Sequence, residues 1–426
     1  MDGDRRVKPA GASNRPGHRR AILAPMTETV TSLADLRTAA EAILPHVIEI
    51  RRRIHRRPEQ GLQLPQTQAV VAEELRAIGL EPRLGGTTTS VTAVIEGGPG
   101  PTILLRADMD ALPLTEETGL DFTSEVAGSM HACGHDNHVA MLLGAARLLV
   151  ERRASLAGRV LLMFQPGEEG YHGARYMLDE GLLDDGEVDR SFAIHISTRY
   201  PAGVLAFRPG AQLASADRIA ATVRGRGGHA STPHLAVDPI TAAADLVLAL
   251  QVAVTRGVNV FDPAVLTIAR ISGGTTSNII PEVVELEGTI RTVSTESRTT
   301  MAALVHRVAD GIAAAHGVTI DLEIEPGYPV TMNDPASVAW FREIAVELVG
   351  EDGVDDLAAP VMGAEDFSYV LERVPGAFVF LGGRPATEDP ATAPQNHSNR
   401  VVFDESSMAV GVAAYAAAAT RHLGAG

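Results

Sequence analysis

One nine-residue stretch, Met130-His131-Ala132-Cys133-Gly134-His135-Asp136-Asn137-His138, constrains this chain more than any other. It gathers the only cysteine, three of the 14 histidines and an aspartate. A thiolate and a neutral imidazole two residues apart on a glycine-hinged loop can both point at one borderline-soft cation, such as zinc, cobalt, nickel or manganese. Taken singly, a cysteine is commonly a small buried apolar residue and a histidine a satisfied core or surface group. Taken together, so many ionisable groups are costly to bury without a purpose. The fold therefore has to bring further ligands to this loop from distant parts of the chain.

The flanking pattern shows how it can. From Ser32 to about Arg57, Leu33, Leu36, Ala40, Ile43, Leu44 and Val47 recur at helical spacing. A second helix is expected from Thr67 to Gly79, and a short strand between Gly85 and Gly98. Thr102 to Ala107 reads as a buried parallel strand, with Asp108-Met109-Asp110 directly after it. A helix from His138 to Glu151, a strand from Arg159 to Phe164 ending in Gln165-Pro166-Gly167-Glu168-Glu169-Gly170, a helix from Ala174 to Leu183 and a strand from Phe192 to His195 complete the series. This alternation predicts an α/β domain with a mixed, largely parallel sheet covered by helices. Each polar cluster falls at a strand's carboxyl end, where open α/β sheets place their ligands.

After Gly210 the order becomes strand (218–225), helix (239–255), strands (265–271 and 283–292), helix (297–316) and strand (318–325). That order matches an inserted α+β split-βαβ, ferredoxin-like unit with an antiparallel sheet. From Tyr328 the α/β character resumes, with helices over 337–349 and 405–422 and a strand over 377–381. The expected organisation is a disordered Arg/Gly/Pro-rich tail over residues 1–25, a first catalytic part over 26–212, the insertion over 213–326 and a second catalytic part over 327–426. Met26 is a second possible start.

Composition narrows the function classes. With 426 residues and 45% hydrophobic content the chain is ample for two domains, and with only 4% aromatics its core has to be built from Ala, Val, Leu and Ile. A net charge of -17 argues against nucleic acid and anionic membranes as partners. One cysteine allows no internal disulfide, which fits a reducing, cytoplasmic setting. The apolar run from Leu246 to Val254 is short and polar-interrupted, so no transmembrane helix is expected.

The paired glutamates supply the chemistry. Adjacent carboxylates in a strand-end loop diverge, so one of Glu168 and Glu169 can hold a metal while the other faces water acidified by it. That is metal-assisted hydrolysis; the competing reading is a solvated turn. His195, near the end of an apolar strand, and His397, in Gln395-Asn396-His397-Ser398-Asn399, are further ligand candidates, with a core histidine as the plainer reading of the first.

Five motifs in order then carry a resemblance: Arg106-Ala107-Asp108-Met109-Asp110-Ala111-Leu112-Pro113, His131 to Asp136, Gln165 to Gly170, Gly227-Gly228-His229-Ala230-Ser231 and Met362-Gly363-Ala364-Glu365-Asp366-Phe367. From about Ser32 to the C-terminal helix, the chain resembles the aminoacylase, hippurate hydrolase and auxin-conjugate amidohydrolase group of binuclear metallopeptidases. The resemblance implies two divalent metal ions (zinc, manganese, cobalt or nickel) on Cys133, His135, Glu169, His195 and His397, with Glu168 as general base. It implies that Asp108, Asp110 and His138 orient ligands by hydrogen bonds. It further implies that the insertion mediates a homodimer and closes over the substrate, that His229 reaches a neighbouring site as an oxyanion donor, and that Asn278 and Arg291 hold the substrate carboxylate.

Near the site, Tyr171 and His172 stand where small residues are common in this group, Ile196-Ser197-Thr198-Arg199-Tyr200 replaces a more usual Val-Trp-Pro character, and Asn399 replaces a common proline. All three bear on acyl-group preference. The expected reaction is hydrolysis of the amide of a small-molecule N-acyl amino acid. The alternatives are a dipeptidase or carboxypeptidase of the same superfamily, a non-catalytic metal-binding protein of this fold, and a redox role for Cys133.

Overall fold

The computed structural model describes Met1, Gly3 and residues 33–424. The expected tail therefore lies outside the described residues, apart from Met1 and Gly3, as does Met26.

Apolar strand sequences pair into an eight-stranded sheet in the order Arg83–Leu84, Val91–Glu96, Arg159–Gln165, Thr102–Asp108, Arg190–Pro201, Gly376–Arg384, Leu205–Phe207 and Val354–Asp356. Its centre is parallel: Thr102–Asp108 runs with both Arg159–Gln165 and Arg190–Pro201, and Gly376–Arg384 runs with Arg190–Pro201. Val91–Glu96 and Leu205–Phe207 turn the flanks antiparallel, which makes the sheet mixed. All seven residues of Thr102–Asp108 are buried, as expected of a strand covered on both faces. The very short strands at 205–207 and 354–356 were not legible in the sequence, because three residues give no periodicity to read.

Helices Leu33–His55, His135–Glu151 and Met408–Leu423 pack together on one face of this sheet and share one apolar core with it. The last of them is largely alanine, and Ala413, Ala414, Ala416, Ala417, Ala418 and Ala419 are all fully buried. Small side chains let neighbouring helix backbones come close, so the low aromatic content is met by tight approach rather than by bulk. The opposite face is covered by Gly173–Asp179 and Ser368–Leu371 over a second cluster that includes Phe367, Phe378 and Phe380.

A separate four-stranded antiparallel sheet, in the order Ala264–Gly273, Val283–Thr292, Asp217–Arg224 and Thr319–Glu325, has its own core beneath helices Pro239–Gly257 and Thr295–His316. Burial along Val283–Thr292 alternates, the period of a half-covered sheet. The helix Pro239–Gly257 is longer than the apolar run suggested. Its 19 residues meet the length and composition of a membrane span, because Asp245 and Arg256 are its only charges. In this structure it lies on the sheet through Ala242, Ala243, Leu246 and Leu250.

Candidate active site

The nine-residue stretch is only partly a loop. The helix begins at His135 rather than at His138, because Gly134 at φ 91° turns the chain sharply and the helical hydrogen bonds start immediately after it. Cys133 therefore sits just before the turn, His135 in the first helical position and His138 one turn later on the same side. The backbone N–H of His397 donates to the carbonyl of Ala132 at 2.9 Å, and Asn396 donates to the carbonyl of Cys133 at 2.9 Å. Those bonds tie a segment more than 260 positions away to the loop.

Strand register does the rest. Asp108 pairs with Gln165, so the ends of two parallel strands release their polar residues at the same level of the sheet. Asp110 accepts from the backbone N–H groups of Glu168 and Glu169 at 2.9 and 3.0 Å, fixing the paired-glutamate turn. His195 donates Nδ1–H to the carbonyl of Ile196 at 2.8 Å, leaving Nε2 with a lone pair 3.3 Å from the Cys133 sulfur. Burial keeps this imidazole neutral, with its pKa well below the usual histidine value.

Several donor atoms converge without hydrogen bonds of their own, although Asp108 and Asp110 lie 3.4 and 3.5 Å from the two His135 nitrogens. One donor from each of Cys133, His135 and His195 lies within 4.8 Å of the others, as holds for Cys133, Glu169 and His397 and for His135, Glu168 and Glu169. Both ring nitrogens of fully buried His135 and the Oε1 of Glu169 lack hydrogen bonds. His397 Nε2 lies 3.2 Å from that oxygen, close enough for an ion pair but without hydrogen-bond alignment. Burial opposes a charge on His135, yet Asp108 and Asp110 raise its pKa to about 10; burial also pushes the Cys133 thiol well up. The carboxylates around this donor set favour a positive charge among them, and a thiol, three imidazoles and a carboxylate suit divalent transition metals.

Asp108 and His138 are occupied differently. Asp108 accepts from Arg106 at 2.7 Å and from His138 Nδ1, while His138 Nε2 accepts from the backbone of Ile196 at 2.7 Å. Both nitrogens of His138 are therefore engaged by protein groups.

The glutamate next to the converging donors is also buried. Burial, Glu365 and Glu169 push the Glu168 carboxyl well above its usual range. Sequence reasoning quoted Glu365 and Asp366 as a motif without giving them a role, and it missed Arg106 as their counter-charge. Arg106 is fully buried and donates to Glu365 at 2.7 Å and to Asp366 at 3.2 Å. It also missed Tyr328, whose hydroxyl donates to the Glu168 carbonyl and accepts from the Gly170 N–H at 2.7 Å. An isolated tyrosine more than 150 positions away carries no pattern that would have marked it.

Cys133, Glu168, Glu169, His195, His397 and Arg291 line one cavity of about 490 Å³. His135 lies beneath it, with no solvent exposure. His229 and Asn278 do not line it. They neighbour each other at the small ladder of Gly228–His229 with Ile279–Ile280, where His229 is exposed and its Nδ1 accepts from the Ser231 N–H at 3.1 Å.

Residues 104–421 match the family described as Peptidase family M20/M25/M40, which is well over half of the chain. This protein belongs to that family. Among its M20 relatives, "Thermostable carboxypeptidase 1" of Saccharolobus solfataricus is 40% identical over 382 residues, 88% of this chain and 95% of that one. "IAA-amino acid hydrolase ILR1-like 2" of Arabidopsis thaliana is 39% identical over 88% of this chain and 85% of its own length. The "N-acetyl-L-cysteine deacetylase" of Bacillus subtilis is 40% identical over 79% of this chain and 80% of its own. A Bacillus subtilis protein described as a dinuclear metal binding peptidase from the M20 family superposes with a TM-score of 0.78 at 34% identity, covering 90% of this chain and 99% of that one. The M20 chain described here is thus a hydrolase of amide C–N bonds, with a donor set that fits metal.

Proposed function

We propose that this M20 enzyme hydrolyses N-acyl amino acids to a carboxylic acid and a free amino acid, using two divalent metal ions held by Cys133, His135, Glu169, His195 and His397. The observation that carries the reading is one cavity in which converging donors, a buried glutamate and the half-buried guanidinium of Arg291 face the same space. Relatives whose names specify acylated amino acids, at close to 40% identity, support it.

Bound divalent cations supply Lewis acidity toward the amide carbonyl and lower the pKa of water toward ~7. Glu168 accepts the proton of the attacking water as the new C–O bond forms, then delivers it to the leaving nitrogen as the C–N bond breaks. Its raised proton affinity suits a group that must hold a proton between those two steps. Asp110 keeps Glu168 and Glu169 in their divergent orientations, while Asp108 and His138 brace the ligand strands. Arg291 offers its fork to the substrate carboxylate.

We further propose a cytoplasmic homodimer in which the four-stranded unit supplies the interface and His229 and Asn278 serve the partner's cavity. The exposed apolar residues Leu248 and Val252 of helix Pro239–Gly257 support that role. A single free cysteine is the usage of a reducing compartment, which supports the cytoplasm.

The carboxypeptidase name of one relative favours a second reading, cleavage of peptides at a free carboxyl end. Rates on N-acetyl and N-benzoyl amino acids against matched free dipeptides separate the two. Faster turnover of the acylated compounds supports the amidohydrolase; faster turnover of the dipeptides overturns it.

A further inference from the structure

We infer that Arg199 makes this enzyme selective for doubly anionic substrates, with Arg291 taking the α-carboxylate and Arg199 a second carboxylate. The inference rests on the amidohydrolase reading and specifies its substrate class.

Many, though not all, of the described arginines pair with carboxylates. Arg51, Arg106, Arg298, Arg342 and Arg400 all do. Two that line the cavity do not. Arg291 is half-buried, and the nearby Asp217 is engaged by Arg298 instead. Arg199 forms no ion pair among the described residues. Arg199 is exposed where it lines the cavity, and a guanidinium without an ion pair there is a ready fork for a carboxylate.

The backbone of Arg199 is also held in place. It lies on the strand that carries His195, four residues further on. Its N–H donates to Ser197 Oγ at 3.3 Å, and its carbonyl accepts from Arg384 at 2.9 Å. The ring of the adjacent Tyr200 lies 5.8 Å from that of Phe380. Tyr200, Phe380, Leu213 and Val361 line the same cavity and offer apolar surface for a short methylene chain. The position falls in the segment 196–200, where the sequence departs from its resembling group.

The second carboxylate can belong to a dicarboxylic acyl group or to an acidic amino-acid side chain. The test compares kcat/KM of the metal-loaded full chain for N-succinyl-alanine against N-butyryl-alanine, and for N-acetyl-glutamate against N-acetyl-glutamine, in wild type, Arg199→Gln and Arg199→Lys. At least one anionic compound is expected to exceed its neutral counterpart tenfold or more, and the pair that does so identifies the source. Arg199→Gln is expected to reduce that ratio at least tenfold, chiefly through KM, and Arg199→Lys to restore part of it. A ratio near one in wild type, or one unchanged in Arg199→Gln, overturns the inference while leaving the amidohydrolase reading intact. Cleavage of none of the four compounds overturns both.

Discussion

At the scale of single residues, the site is a problem of unbalanced charge. Asp108, Glu168, Glu169, Glu365 and Asp366 are packed within a small volume with one buried arginine, and His135 and Glu169 retain buried atoms that no protein group hydrogen-bonds. Buried polar groups without partners are costly, and their concentration here marks the place where a ligand completes the structure. Glu168 differs from its neighbour by its environment: it is the more deeply buried of the two and carries the raised pKa. Glu168→Gln preserves its shape and removes the proton acceptor. Turnover is expected to fall by about two to four orders of magnitude, with metal content per chain unchanged; a variant that keeps most of its kcat contradicts the base assignment. The candidate residues stood out in the sequence because a lone cysteine, clustered histidines and paired glutamates are uncommon, and the structure brings them together. Tyr328 and Arg106 did not stand out, because a tyrosine that binds a turn and an arginine that neutralises a cluster look like any others until the fold brings them there.

At the scale of elements, the strand ends and one helix start decide the geometry. The strand sequences were readable from apolar runs and from the punctuation after them, and their register then placed Asp108 beside Gln165. The start of the helix was misplaced by three residues, since His135, Asp136 and Asn137 look like loop residues by composition. The conformation of Gly134 overrides that composition. Its φ of 91° is open to glycine, and a Cβ there would stand 2.5 Å from the Ile196 side chain and 3.1 Å from the Phe403 ring. Gly134→Ala therefore combines backbone strain of about 1–3 kcal/mol with a steric clash between the expected ligands Cys133 and His135. A lower melting temperature and substoichiometric metal are expected; an unchanged melting temperature with full metal would show that the turn is not what positions the site.

For the whole molecule, the consequence is a division of labour between two separately packed cores. The eight-stranded sheet and its helices hold the converging donors, while the four-stranded unit contributes Arg291 to the cavity and keeps His229 outside it. The strand, helix, strand, strand, helix, strand order made the smaller unit legible; its outward apolar face was not, because Leu248 and Val252 read as core until the helix is seated on its sheet. Leu248→Asp places a charge on that face without touching the core beneath. It is expected to convert the proposed dimer to monomers in sedimentation velocity and, by removing the proposed contribution of His229 to a neighbouring cavity, to lower kcat at least tenfold; a variant that sediments as wild type does removes this face from the interface. The central claim, that this cavity is a metal-dependent amidohydrolase site, is tested most directly by measuring N-acyl amino acid hydrolysis on metal-analysed protein before chelation, after it and after restoring zinc, cobalt, nickel or manganese. The account expects cleavage that disappears on chelation and returns with metal; full metal occupancy with no cleavage of any acylated amino acid would contradict it.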